Sequence, residues 1–118
     1  MFEDLDRRFC EIARRVKSSG WDSLPEEMQT FGLVWHATGL ISNSGLRRLT
    51  EEGVPSEGVA AALLRIGCPA AAAIVEKSAA DTDAARMTVL NERFWALQQE
   101  IDVALAAYVK ANRIVFGS

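Results

Sequence analysis

The sequence predicts an all-α protein, and three observations carry that prediction. Apolar residues recur in steps of three and four; alanine, leucine, glutamate and arginine dominate those runs; no segment alternates with period two on β-branched residues. Glycine-to-proline punctuation, in Gly53-Val54-Pro55 and Gly67-Cys68-Pro69, ends one helix and opens the next. The expected architecture is one compact domain over residues 1–118, of about five to six helices, with a central apolar helix and a long C-terminal helix.

Phe2, Leu5, Phe9, Ile12 and Val16 form the stripe of a first helix that Gly20 stops. A second starts in Ser23-Leu24-Pro25-Glu26-Glu27: Ser23 is placed to cap, Pro25 suits the first turn, and the glutamates favour the positive helix end. It carries Met28, Phe31 and Trp35 on one side, Val34, Ala37 and Ile41 beside them, and Gly32 and Gly39 on a further face. A helix apolar almost all round belongs in the middle of a domain. Asn43-Ser44-Gly45 breaks it, and a short amphipathic stretch with Leu46 and Leu49 follows. Asn and Gly tolerate positive φ, so this break reads as a structural hinge.

The next helix turns Val59, Leu63 and Ile66 inward, and after Pro69 an alanine-rich one offers Ala70, Ala71 and Ile74 for close packing. Asp81, Thr82 or Asp83 caps the last long helix, whose stripe of Met87, Leu90, Phe94, Leu97, Ile101, Leu105 and Tyr108 keeps one rhythm throughout. Val89, Val103, Val109, Ile114, Val115 and Phe116 lie partly outside that stripe. They serve either a symmetric dimer, or a C-terminus that folds back and packs Ile114 and Phe116 against the first helix.

Composition excludes several function classes. Thirteen basic and sixteen acidic side chains give a net charge of −3, which argues against direct nucleic-acid binding. The most apolar stretch, Phe31 to Ile41, falls well short of the ~20 residues that span a bilayer. The acidic, amphipathic start does not resemble a secretory signal, so a cytoplasmic location is expected, with Cys10 and Cys68 as free, packed thiols. Glu3 with Arg7, Asp4 with Arg8 and Glu11 with Arg15 are acid-first pairs at spacing four, which stabilise a surface helix.

Catalytic constellations are scarce. His36 is the single histidine; no second histidine or cysteine pair sits at metal-ligand spacing, and no glycine-rich phosphate loop occurs. No cofactor or metal is expected, and the chain reads as a non-enzyme. His36 lies on the glycine face of the second helix, where another helix can approach closely and the ring can hydrogen-bond to a neighbouring backbone; a small-molecule or enzymatic role around it needs a partner acid and a pocket. Trp35 and Trp95 are expected in the core, and Trp21 is left as a candidate interaction residue. The acids without a local partner are Glu92, Glu100 and Asp102, and the last two point in different directions from one helix.

Asn43-Ser44-Gly45-Leu46, then Arg65-Ile66-Gly67, then Phe94 to Asp102 followed by Tyr108-Val109-Lys110-Ala111-Asn112, occur in the order and approximate spacing of a family. The chain resembles a domain-of-unknown-function family that includes a bacterial DNA-mimic protein. Ser44 and Leu46 stand where that family has glycine and phenylalanine. The resemblance implies an all-helical, cytoplasmic bacterial protein, sometimes dimeric, with one member that imitates DNA to occupy a DNA-binding protein. The expected function is a non-enzymatic protein-protein interaction module that binds a partner protein through a helical face. An immunity- or antitoxin-like partner protein is the first alternative, and chemistry around His36 the second.

Overall fold

The computed structural model describes residues 2–116, with side chains from Asp4 onward. Among them are eight α-helices, one 3-10 turn and no strand, so the all-α prediction holds. The side chains of Phe2 and Glu3, expected in the first stripe and in a pair with Arg7, lie outside the described residues.

Helix α1 (Phe2–Ser19) buries Leu5 and Ile12 and ends where Gly20, at φ 87°, donates its N–H to Val16 O at 2.8 Å. Its charges partly rearrange the expected pairs. Asp4 binds both Arg7 and Arg8, and the Arg8 hydrogen bond holds its carboxyl below the usual carboxylate range. Arg15 points its guanidinium at Met28 Sδ, 3.1 Å away, instead of pairing with Glu11. Cys10 is exposed rather than packed, Cys68 is half-buried, and both are free.

A 3-10 turn (Trp21–Ser23) leads to α2 (Glu26–Ser44). Ser23 does not cap α2: its hydroxyl donates back to Gly20 O at 2.7 Å, and Pro25 opens the helix without a side-chain cap, its carbonyl accepting from Met28 and Gln29. Ser23 closes its own turn too early in the chain to reach the helix N–H groups. The α2 helix is central as expected, touching α1, α3, α4, α7 and α8, with Phe31, Val34, Ala37 and Ile41 fully buried. Only one of its two face glycines has the close approach foreseen: a Cβ at Gly32 would meet the Trp21 indole at 3.3 Å, whereas Gly39 faces open space.

Helices α3 (Arg47–Glu51), α4 (Ser56–Arg65) and α5 (Pro69–Ala80) follow, with glycines at positive φ at positions 45, 53 and 67 before each new segment. Val59, Leu63 and Ile66 are buried as expected. On α5 the buried positions are Ala71, Ala72, Ile74, Val75 and Ser78, and Ala70 is exposed.

The predicted long C-terminal helix is two helices, α6 (Ala84–Ala96) and α7 (Gln98–Ala111). Asp83 caps the first, its Oδ1 accepting from Arg86 N at 3.0 Å. The break falls at Leu97, where the α2 C-terminus captures both flanks: Trp95 Nε1 donates to Ile41 O at 3.0 Å, and Ser42 Oγ donates to Gln98 Oε1 at 3.1 Å. Divided there, α6 packs on α5 while α7 packs on α2. A continuous stripe cannot report this, because apolar periodicity survives a one-residue break. The Trp95 hydrogen bond also keeps that ring at the surface, 45% exposed, instead of in the core; Trp35 is half-buried, stacked on Phe31.

Helix α8 (Arg113–Phe116) folds back. Phe116 meets Phe31 edge-on at 5.6 Å and Tyr108 at 6.4 Å, and Arg8 of α1 donates to its carbonyl. Val109 is buried and Val115 packs on the core, whereas Val89, Val103 and Ile114 stay exposed. Among the described residues no helix is long and apolar enough to cross a membrane.

Candidate functional site

The 3-10 turn lays Trp21 across Gly32, and this contact closes one side of an open groove of about 680 Å³ between α1, α2 and α4. Its walls are mostly apolar. Phe9 and Val16 come from α1, Leu33 from α2, and Pro55, Gly58 and Ala61 from α4. A Cβ at Gly58 would approach Leu33 to 3.3 Å, so glycine there widens the floor.

The polar atoms on these walls are largely paired with one another. Arg65 makes an ion pair with Glu26 and donates to Thr30 Oγ1 at 3.3 Å. Gln29 donates to the carbonyls of Trp21 and Leu24. Two ring groups are the exceptions: His36, exposed with its ring parallel to Phe9 at 6.4 Å, and the Trp21 indole N–H have no hydrogen-bond partner among the described residues. A general base needs an acid to orient it, and the groove's one carboxylate, Glu26, is held by Arg65. Among the described residues no cluster of three or more His, Cys, Asp and Glu side chains could hold a metal ion.

Of the residues weighed in the sequence for interaction or chemistry, Trp21 and His36 line this groove. Glu92, Glu100 and Asp102 lie elsewhere and do not converge. Glu92 is exposed on α6. Glu100 lies close enough to Cys68 that its charge, after burial, helps push that thiol up. Asp102 is half-buried in a chain of hydrogen bonds from Ser42 through Gln98, and burial raises its pKa against the pull of the Gln98 bond. An acid whose folded pKa is raised loses stability as pH climbs from the ordinary carboxylate range through the folded value. Asp102→Asn is therefore expected to melt above the wild type at pH 7, with the difference vanishing in acid; thermal melts across pH check it.

In the turn Asn43-Ser44-Gly45-Leu46 the helix ends at Gly45 alone, because Asn43 and Ser44 still belong to α2. Gly45 sits at φ 85°, ψ 174°, and Leu46 N–H donates to Asn91 Oδ1 of α6 at 2.8 Å, while Asn43 and Ser44 are exposed. Asn91 is a residue that periodicity passes over; its only signal is a polar side chain beside the buried stripe of α6.

The family model described as DMP19-like protein matches residues 22–112, from the 3-10 turn to the end of α7. The chain belongs to the DMP19-like family. DMP19 is a family of DNA-mimic proteins, in agreement with the resemblance read from the turn and the C-terminal motif. The search of curated proteins finds no match, and neither does the search of solved structures. In this DMP19-like chain α1, one wall of the groove, lies outside the matched residues.

Proposed function

We propose that this chain is a non-enzymatic protein-binding module and that the α1–α2–α4 groove receives an apolar segment of a partner protein. One observation carries the reading: the groove is lined by apolar side chains and a half-open Trp21, while most of its polar side chains, His36 and the Trp21 indole N–H apart, already satisfy one another. A lining of that kind gains free energy by excluding water and has few groups left to polarise a substrate. Tryptophan is one of the residues enriched among the hot spots of protein interfaces.

The family context agrees with a protein partner, since a DNA mimic acts by binding proteins. Mimicry itself draws less support here, because it needs carboxylates gathered on one rigid face, and Glu100 and Asp102 belong to separate surroundings. An immunity- or antitoxin-like role would use the same groove and differ in the identity of the partner.

Ala61→Glu tests the proposal. Ala61 is exposed on α4 and lines the groove, so glutamate there costs the helix only about 0.4 kcal/mol or less in propensity while placing a charge in the apolar site. In affinity capture from the source cell, the wild type is expected to retain a protein that Ala61→Glu loses about tenfold or more, with unchanged melting temperatures. Equal capture by both, or no captured protein, overturns the reading.

A further inference from the structure

A second groove, between α5 and α6, lies wholly within the family-matched residues. Two hollows, of about 640 and 410 Å³, meet at Lys77, Leu90 and Arg93. Beyond that meeting point Ala80, Ala85 and Val89 line one hollow; Ala70, Ala73 and Leu97 line the other. The alanines of α5 leave the room, and Val89 stands 48% exposed at the wall. From Ala70 to Ala80 the lining runs about 15 Å at the helical rise per residue.

The charge here runs opposite to that of the whole chain. Lys77, Arg86 and Arg93 line the groove against the single carboxylate of Asp81, which Arg86 holds at 2.9 Å. Lys77 of α5 and Arg93 of α6 are exposed, make no ion pair among the described residues, and both line the junction of the hollows. Two uncompensated cations flanked on both sides by apolar space define what fits. A fatty acid would need its cation at one end of a single apolar channel; here the cations stand in the middle.

We propose that this groove docks an amphipathic helix of a partner protein, with acidic residues at its centre and apolar anchors about two turns apart. The anchors are about 10 Å apart on such a helix, the i, i+7 spacing, and acids at i+3 and i+4 share their face. Each anchor enters one hollow, and the acids meet Lys77 and Arg93. Apolar burial then supplies affinity, and the charge pairing supplies register and rate.

The probe is a fluorescein-labelled, alanine-rich peptide of about 15 residues carrying two leucines two turns apart with two glutamates between them; its control carries lysines in place of the glutamates. By fluorescence anisotropy on the full chain, the glutamate peptide is expected to bind about tenfold or more tightly than the lysine peptide, and to weaken as salt is raised. Lys77→Glu with Arg93→Glu should reverse that order. Lys77→Gln with Arg93→Gln, which adds no new charge, should abolish it, so the outcome does not hang on the folding of one variant. Amide shifts at Lys77, Val89, Leu90 and Arg93 should accompany binding. Equal affinity for the two peptides, no binding, or an order unchanged in both double variants overturns the proposal. Dodecanoate shifting these amides where the glutamate peptide does not would assign the groove to an acyl ligand, and self-association lost on charge reversal would assign it to a second copy; either result also overturns it.

Discussion

Replacing Phe31 with alanine is expected to lower stability by about 3–5 kcal/mol, the cost of removing a fully buried phenylalanine from a packed core. Phe31 has no exposure, and two elements depend on its ring: it stacks with Trp35 at 6.2 Å within α2, and it takes the edge of Phe116, which holds α8 against the central helix. For a chain of this size each kcal/mol shifts the melting temperature by roughly 4 °C, so Phe31→Ala should melt about 12–20 °C lower. Val103→Ala, at a 52% exposed position, should change stability by less than about 0.5 kcal/mol. Differential scanning calorimetry on the pair decides it, and a loss under about 1 kcal/mol for Phe31→Ala would contradict the core described above. Because Phe116 rests on Phe31, the double replacement should cost less than the sum of the two single ones.

Gly45→Val is the second large effect. At φ 85° and ψ 174° the residue occupies a region that is essentially glycine-only, where a side chain costs of order 1–3 kcal/mol. Any Cβ there would also stand 3.0 Å from Asn91 Nδ2 and push that amide off the Leu46 N–H it satisfies. Losing that partner adds about 1–3 kcal/mol, so a total near 2–6 kcal/mol and a melting point lower by roughly 8–24 °C are expected. Asn91→Ala alone loses only the hydrogen bond. Gly45→Val in the Asn91→Ala background should therefore cost less than in the wild type, because the collision is gone while the strain remains. Equal costs in the two backgrounds would show that backbone strain is the whole effect and that Asn91 does not clamp the turn.

Much of the helical layout was legible from local patterns because its causes are local. Gly20, Gly45, Gly53 and Gly67 stop helices through their own backbone freedom, and all four have positive φ. Asp83 caps through a bond to Arg86 N three residues away. The same locality misled at Ser23, which found Gly20 O before it could reach the first turn of α2.

Of the candidate site, Trp21 and His36 were legible as residues but the groove was not. Its walls come from α1, α2 and α4, and the decisive contact, the Trp21 indole against Gly32, depends on how the 3-10 turn is aimed. The acids Glu92, Glu100 and Asp102 looked alike in the sequence because each lacked a local partner. Their surroundings differ in the fold, where Asp102 is taken into a hydrogen-bond chain with Gln98 and Ser42.

By itself the sequence determined the all-α class, the helix ends governed by glycine and proline, and the inward faces of α1, α2 and α4, since each depends on residues within a few positions of one another, and it determined the family through the linear order of short motifs. Only the tertiary structure decided the break at Leu97, the surface position of Trp95, the clamp of Asn91 on the turn at Gly45, and the two grooves. Those features are made by residues as much as 56 positions apart in the chain, Ser42 and Gln98. Side-chain periodicity records which face of a helix is apolar, but it does not record which other helix will cover that face, or whether any will.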